Sequence, residues 1–249
     1  MENNEEIKVK VEHLTKKFGD LLVLDDISFE VKKGDFVCIV GPTGCGKSTF
    51  LNLLTRLIPA TSGNILLDGE PADPVKHNIS FVFQEPSAFE WLTVQQNIEY
   101  GLRIKKVPED EIKKRTDVII NILGLDSWRN IYPKDLSVSM EQRVVIGRAF
   151  AVNPDLLLMD EPYGQMDIKM RYYLEDEVIK LWQATGATVL FITHNLEEAV
   201  YLAEKILVLS NKPARIKEEV KVDLPRPRNV ADPEFIKIRK HITELIKWW

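Results

Sequence analysis

Nine residues, Gly41-Pro42-Thr43-Gly44-Cys45-Gly46-Lys47-Ser48-Thr49, constrain this chain more than any other stretch. An apolar run, Phe36-Val37-Cys38-Ile39-Val40, comes just before them and reads as a buried strand. Phe50, Leu51, Leu53, Leu54 and Leu57 follow with the spacing of an amphipathic helix. A strand that turns through glycines directly into a helix presents successive backbone N–H groups at the helix start. Glycine reaches the dihedrals such a tight wrap demands. Those N–H groups, with the positive end of the helix, form a cradle for phosphate oxygens. The stretch fits G-x-x-x-x-G-K-[ST] without a substitution. Lys47 is expected to reach the β- and γ-phosphates and the Ser48 hydroxyl to ligate Mg²⁺. A glycine-rich turn that only joins strand to helix does not account for the full pattern.

Composition narrows what the phosphate is for. A length of 249 residues suits one large domain or a domain with a lobe, and 45% apolar residues supply a sizeable core. The net charge of −5 speaks against a nucleic-acid binder that relies on bulk electrostatics. The start, Met1 to Glu6, is acidic and polar and does not read as a secretory signal. No apolar run approaches the roughly 20 residues of a spanning helix. The expectation is a cytosolic protein that reaches a membrane only by docking on a partner. Cys38 and Cys45, in the strand and in the glycine loop, suggest neither a disulfide framework nor a zinc site.

Along the chain, Ile7 to His13 alternates as a half-buried strand and Lys16 to Asp20 reads as a turn. Val23 to Val31 reads as a returning strand. Phe18, an aromatic in a turn ahead of the glycine loop, either stacks on a purine or fills a satellite core. Gly63 to Leu67 and Ile79 to Phe83 read as short strands, the second ending at Gln84, which is placed to reach a metal or a water. The loop from Glu85 to Leu92 carries Phe89 and Trp91, either a docking surface or a local hydrophobic lock. Helical periodicity then takes over: Val94 to Lys106, Glu109 to Leu123, and a third helix from near Ser139.

Asp155-Leu156-Leu157-Leu158-Met159-Asp160-Glu161 reads as a buried parallel strand with acids at its carboxyl end. Asp160 is expected in the Mg²⁺ shell, and Glu161 is expected to polarise the attacking water. After a helix over 168–183, strand Thr188 to Thr193 delivers His194 toward the same place. A lone histidine is more often structural, but two other strand ends already aim there. Leu196 to Ala203 reads as a short helix, Ile206 to Leu209 as a strand and Ala214 to Val222 as a charged edge strand. Leu224 to Arg228 reads as an extended linker and Asp232 to Trp249 as an amphipathic helix, with Phe235, Ile238, Ile242, Leu245 and Ile246 on one face.

These elements, in this order, resemble the ATP-binding subunit of an ABC transporter over nearly the whole chain. The resemblance implies an α/β fold: a P-loop NTPase core with a mostly parallel sheet, an antiparallel β subdomain and an inserted helical subdomain. It divides the chain into a core of residues 7–93 and 152–222, a helical subdomain 94–151, and a C-terminal linker and helix 223–249. Gly41 to Ser48 matches Walker A, Leu156 to Asp160 Walker B, and Glu161 the catalytic glutamate. Gln84 matches the Q-loop glutamine, His194 the switch histidine, Asp167 the D-loop aspartate and Phe18 the adenine-stacking aromatic. Phe83 to Pro86, Trp91 to Val94 with Asn97, Thr193 to Ala199 and Leu224 to Arg228 look like the bacterial nitrate, sulfonate and taurine importers. The implied cofactors are ATP and Mg²⁺. The implied partners are a second ATPase subunit, a membrane permease met through Phe89 and Trp91, and an extracytoplasmic solute-binding protein; nucleic acid is not among them. The implied location is the inner face of the cell membrane.

Two departures from the family pattern fall in elements that act across a dimer interface. The signature Leu-Ser-Gly-Gly is here Leu136-Ser137-Val138-Ser139, with both glycines replaced. Val138 puts a branched side chain where close backbone approach is wanted. Gly164-Gln165-Met166-Asp167 replaces the more familiar Ser-Ala-Leu-Asp. A homodimer that tolerates these changes is expected over a heterodimer in which a partner supplies the intact signature. A non-transport ABC ATPase or a binding-only regulatory subunit fits less well, because Glu161 and His194 are retained.

Overall fold

The computed structural model of the chain describes residues 6–74, 76–164 and 166–246. Gln165, Trp248 and Trp249 lie outside these described residues. The chain forms two compact units: residues up to Asn78 together with those from Thr188 onward, and Ile79–Ala187.

The first unit holds the glycine loop. Strands β1 (Ile7–Phe18) and β2 (Leu21–Lys32) form an antiparallel hairpin, and β4 (Ser62–Leu67) pairs with the other edge of β1. The order β2-β1-β4-β5, with β5 at Glu70–Pro71, makes an antiparallel sheet. Strand β1 runs past the expected turn: Lys16 and Phe18 pair with Leu24 and Leu21, and the turn is Gly19-Asp20. The lysines did not read as strand, yet Lys16 is buried because its ammonium donates to the Pro59 carbonyl at 2.6 Å.

Strand β3 (Phe36–Val40) lies between β8 (Thr188–Thr193) and β9 (Lys205–Leu209), parallel to both. All of β3 and β8 is buried, as befits strands covered on both faces. Strand β10 (Ile216–Lys221) closes the edge antiparallel to β9. Helix α1 (Lys47–Leu54) leaves the glycine loop and stops sooner than its pattern suggests. Arg56 takes φ +56°, which breaks the helix, and Leu57 ends up 70% exposed. Helices α6 (Leu196–Leu202) and α7 (Pro233–Ile246) follow. Of the expected apolar face on α7, Phe235 and Ile242 are fully buried. The segment Leu224–Arg228 is not a free linker, since Arg228 is buried and bonded to backbone carbonyls.

The second unit places parallel strands β6 (Ile79–Val82) and β7 (Leu156–Asp160) with helices α2 (Val94–Ile104), α3 (Glu109–Ile122), α4 (Val138–Ala151) and α5 (Ile168–Thr185). Thr93 opens α2 with a capping box to Gln96. Helix α4 begins one residue before the expected Ser139, because Ser137 caps it by accepting from the Met140 N–H. Its neighbours come close at Gly147, where a Cβ would lie 2.9 Å from Leu123 Cδ1.

Candidate nucleotide site

In the first unit, the glycine loop is shaped by what touches it. Gly46 takes φ +124°, and a Cβ there would meet Leu24 Cδ2 at 2.9 Å and Val23 Cγ1 at 3.1 Å. A Cβ on Gly41 would lie 3.0 Å from Cys45 Sγ and from Leu209 Cβ. The loop is therefore wrapped tightly against the start of β2 and the end of β9. Lys47 is buried, and its ammonium folds back to donate to the Gly41 carbonyl at 3.0 Å and the Pro42 carbonyl at 3.2 Å. A buried cation at a glycine loop that runs straight into helix α1 suits a polyphosphate, so the residues present fit a nucleotide. Burial pushes the Cys45 thiol up, which keeps it neutral beside Lys47. Thr43 and Gly44 are exposed at the loop tip, and Ser48 and Thr49 lie in the first turn of α1.

His194 reaches the same edge of the sheet. Val40 pairs with Thr193 in parallel register, so Gly41 and His194 leave adjacent strands side by side. Phe18 is 47% exposed, with the Lys16 ammonium 4.7 Å from its ring centroid. Lys16 pairs with Leu24, which touches the Gly46 position, so the hairpin end carrying Phe18 sits by the loop. An exposed ring with a cation on one face favours the stacking alternative over a core role.

In the second unit, Val82 pairs with Met159 in parallel, so the chain leaves toward Gln84 and toward Asp160 at one end. The Gln84 amide lies 3.1 Å from where a Cβ on Gly164 would stand. Glycine at 164, in place of the family's more familiar serine, leaves room for that amide. Glu161 takes φ +46°, an uncommon conformation that turns the chain sharply at the strand end. Within this unit, Gln84 and Asp160 carry hard oxygen donors of the chemistry Mg²⁺ prefers. Among the described residues no group of three or more His, Cys, Asp or Glu is placed to hold a metal ion by itself.

The altered signature opens α4. Ser137 and Ser139 hydroxyls lie 3.2 Å apart, and Val138 is 48% exposed. Asp167 caps α5 by accepting from the Met170 N–H at 3.0 Å. Gln142 donates to the Phe83 carbonyl at 3.0 Å, just before Gln84.

The aromatic loop is a built surface. Phe89 stacks on Trp91 at 5.2 Å and meets Tyr100 edge-on at 4.8 Å. The Arg148 guanidinium covers the Phe89 ring at 4.4 Å and donates to the Ser87 carbonyl at 2.8 Å. Asn97, wholly buried, accepts from the Phe89 N–H and donates to the carbonyls of Phe89, Leu92 and Thr93. Trp91 remains 70% exposed on top. The local hydrophobic lock is what the structure shows: the loop is braced internally, with the Trp91 ring left facing outward. Sequence reasoning gave Asn97 only as part of a resemblance and missed Arg148. The signal for Asn97 was an amide in the first turn of a helix, directly after a Thr93–Gln96 cap.

The model for the family described as ABC transporter matches residues 24–164. An uncharacterized ABC transporter ATP-binding protein of Methanocaldococcus jannaschii is 40% identical, over 97% of this chain and 92% of its own length. The aliphatic sulfonates import ATP-binding protein SsuB of Bacillus cereus is 37% identical, over 95% of this chain and 93% of its own. Among solved structures, CbiO1 of Clostridium perfringens, part of the ABC transporter complex CbiONQ, aligns with a TM-score of 0.80 at 25% identity, covering 97% of this chain and 98% of that one. A dimeric ATP-binding cassette bound to ADP and Pi, in a post-hydrolysis state, aligns at 0.73 and 31% identity, covering 87% of this chain and 100% of that one. With an intact phosphate loop and relatives matched along nearly its whole length, this chain belongs to the ABC transporter family as an ATP-binding and ATP-hydrolysing subunit.

Proposed function

We propose that the chain powers import of a small anionic solute of the nitrate, sulfonate or taurine kind through a membrane permease, supplied by an extracytoplasmic binding protein. The carrying observation is the aromatic loop: a half-buried Phe89 braces a 70% exposed Trp91, a surface of the sort a membrane partner can grip. The sulfonate importer's ATP-binding protein, 37% identical, supports the solute class. The chain then sits on the inner face of the cell membrane through its permease. Among the described residues no helix is long and apolar enough to cross a membrane.

In this reading the backbone N–H groups of Thr43–Thr49 and the Lys47 ammonium hold the β- and γ-phosphates beside Gly41 and Pro42, and Phe18 stacks on the adenine. Ser48, Gln84 and Asp160 would hold Mg²⁺, which supplies charge neutralisation on the phosphates when bound. Glu161 orients and polarises the attacking water. His194 donates toward the γ-phosphate, where charge gathers. Catalysis is positioning and electrostatics more than covalent chemistry. A mutant lacking this chain is expected to lose uptake of labelled taurine, alkanesulfonate or nitrate. Wild type should restore the uptake and Glu161→Gln should not. Normal uptake of all three without the chain would sink the importer reading.

Two copies sandwiching two ATP molecules, with Ser137, Val138, Ser139 and Asp167 acting across the interface, is the favoured assembly. The exposed Val138 side chain motivates the second reading, a heterodimer whose partner supplies an intact signature. Light scattering on Glu161→Gln protein separates the two. An Mg-ATP-dependent doubling of mass supports the homodimer, and a monomer that binds ATP tightly supports the heterodimer.

A further inference from the structure

The C-terminal segment carries two arginines with no role in the mechanism above, and both are spent on one short helix. Arg228 is only 8% exposed. Its Nη1 donates to the carbonyls of Val200, Tyr201 and Ala203 at 2.8, 3.0 and 2.6 Å. Its Nη2 and Nε donate to Val222 and Leu224 carbonyls at 3.2 and 3.3 Å. Arg226 donates to the Tyr201 carbonyl at 3.1 Å and the Leu202 carbonyl at 2.5 Å. The carbonyls of Val200, Tyr201 and Leu202 are ones that the end of α6 leaves without helical partners, and Ala203 is its C-cap. Burial pulls Arg228 down to about 10, which still leaves it charged at neutral pH and suited to the negative end of the helix. From the other side, Arg239 on α7 pairs with Glu197 in the first turn of α6. A helix of 7 residues has little stability of its own, so its place is set by these grips.

The opposite end of α6 borders His194. Asn195 caps the helix by accepting from the Glu197 and Glu198 N–H groups at 2.9 and 3.4 Å. The Glu198 carboxylate accepts from the Thr193 hydroxyl at 2.6 Å and from the Asn195 side-chain amide at 3.3 Å. The Thr193 hydroxyl in turn accepts from the Asn195 N–H at 2.9 Å. Both neighbours of His194 are thus tied to Glu198, a residue of the helix that the arginines hold.

We propose that Arg228, with Arg226, is a positioning residue for His194: the arginines lock α6 by its C-terminal carbonyls, and α6 through Glu198 fixes the backbone on both sides of the histidine. The strap from Leu224 to Arg228 is on this account part of the hydrolytic apparatus, although it lies outside the phosphate loop and the strand ends. The inference rests on the reading that His194 acts at the γ-phosphate. It extends that reading to residues more than 30 positions downstream in the chain.

The test is a double-mutant cycle on steady-state ATP hydrolysis, with His194→Ala as the reference and Arg228→Gln and Arg226→Gln each made alone and on the His194→Ala background. Each arginine substitution alone is expected to lower kcat by about 10- to 100-fold, the scale of a small misplacement of a reacting group, with the KM for ATP held within about twofold. On the His194→Ala background each should cost less than about twofold. A merely structural role would lower kcat by the same factor in both backgrounds, and that result overturns the proposal. Full kcat in both arginine variants, with His194→Ala slow, overturns it as well. Undiminished kcat in His194→Ala instead overturns the reading of the site on which the proposal stands. Should Arg228→Gln fail to fold, Arg226→Gln, which gives up bonds to the Tyr201 and Leu202 carbonyls, carries the same comparison.

Discussion

Replacing Asn97 should cost more than a lone amide usually does, and the structure says why. The side chain is 0% exposed and bonds to the backbone of the aromatic loop at both ends of its amide. In Asn97→Ala, the carbonyls of Phe89 and Thr93 keep other partners, since they also accept from the Leu92 and Asn97 N–H groups at 3.0 and 2.8 Å. The Phe89 N–H, bonded to Asn97 Oδ1 at 2.8 Å, and the Leu92 carbonyl, bonded to Nδ2 at 3.0 Å, are the groups left wanting. At about 1–3 kcal/mol for each buried group left unmade, and with water able to reach the half-buried Leu92, the loss should be about 2–4 kcal/mol. Asn97→Asp keeps the shape and the acceptor but turns a donor that faces three carbonyls into a charge. It should be worse than alanine at pH 7. Burial disfavours the charged form of a carboxyl there, so the penalty should be small at low pH and grow as pH rises. Urea denaturation followed by circular dichroism, at pH 4.5 and 7, reads both effects. An alanine variant within about 0.5 kcal/mol of wild type, or an aspartate variant the milder of the two at pH 7, would refute the reasoning.

Gly46→Ala should weaken nucleotide binding by about 10- to 100-fold, because a strain of about 1–3 kcal/mol at φ +124° adds to the contact with Leu24. A fluorescent ATP analogue titrated into the variant checks this, and an unchanged Kd would speak against the wrapped loop. Glu177 on α5 is buried, and burial raises its carboxyl above the ordinary value, with Tyr173 and Arg143 pulling the other way. Its contribution to stability is present below the unfolded pKa and is lost as pH rises through the folded one. Glu177→Gln should therefore raise Tm at pH 8 relative to wild type and do so less at pH 4.5. A variant melting lower than wild type at pH 8 would show that the charge is welcome there.

Legibility followed how local the cause was. The phosphate loop could be read whole, because strand, glycines and helix lie next to one another and each announces itself. Asp160 and His194 were legible as residues at the ends of apolar runs, since a parallel strand buried on both faces leaves one edge for polar chemistry. Leu57 misled because its spacing fits a helix that Arg56 ends through its backbone alone. Lys16 and Phe18 were assigned to a turn because charge looked like solvent, whereas cross-strand pairing holds them in β1. Arg226 and Arg228 read as a polar linker. Their acceptors on and just past α6 lie 24 to 28 residues upstream, and no local pattern reports a guanidinium satisfied at that distance.

Helix α4 has a further consequence through its ends. Ser137 caps it, and Arg148, eleven positions on, holds the aromatic loop by a carbonyl and a ring, about 16 Å away at the usual rise per residue. Gln142, between them, grips the Phe83 carbonyl. One stiff rod is therefore fastened to whatever touches Trp91 and to whatever touches Ser137. If seating a partner on the loop tightens the grip at the signature by some factor, closing the signature must tighten the grip on that partner by the same factor. The rod has no preferred direction, so the traffic of free energy between membrane and nucleotide would be symmetric at equilibrium. Only the irreversibility of hydrolysis would give the cycle its arrow.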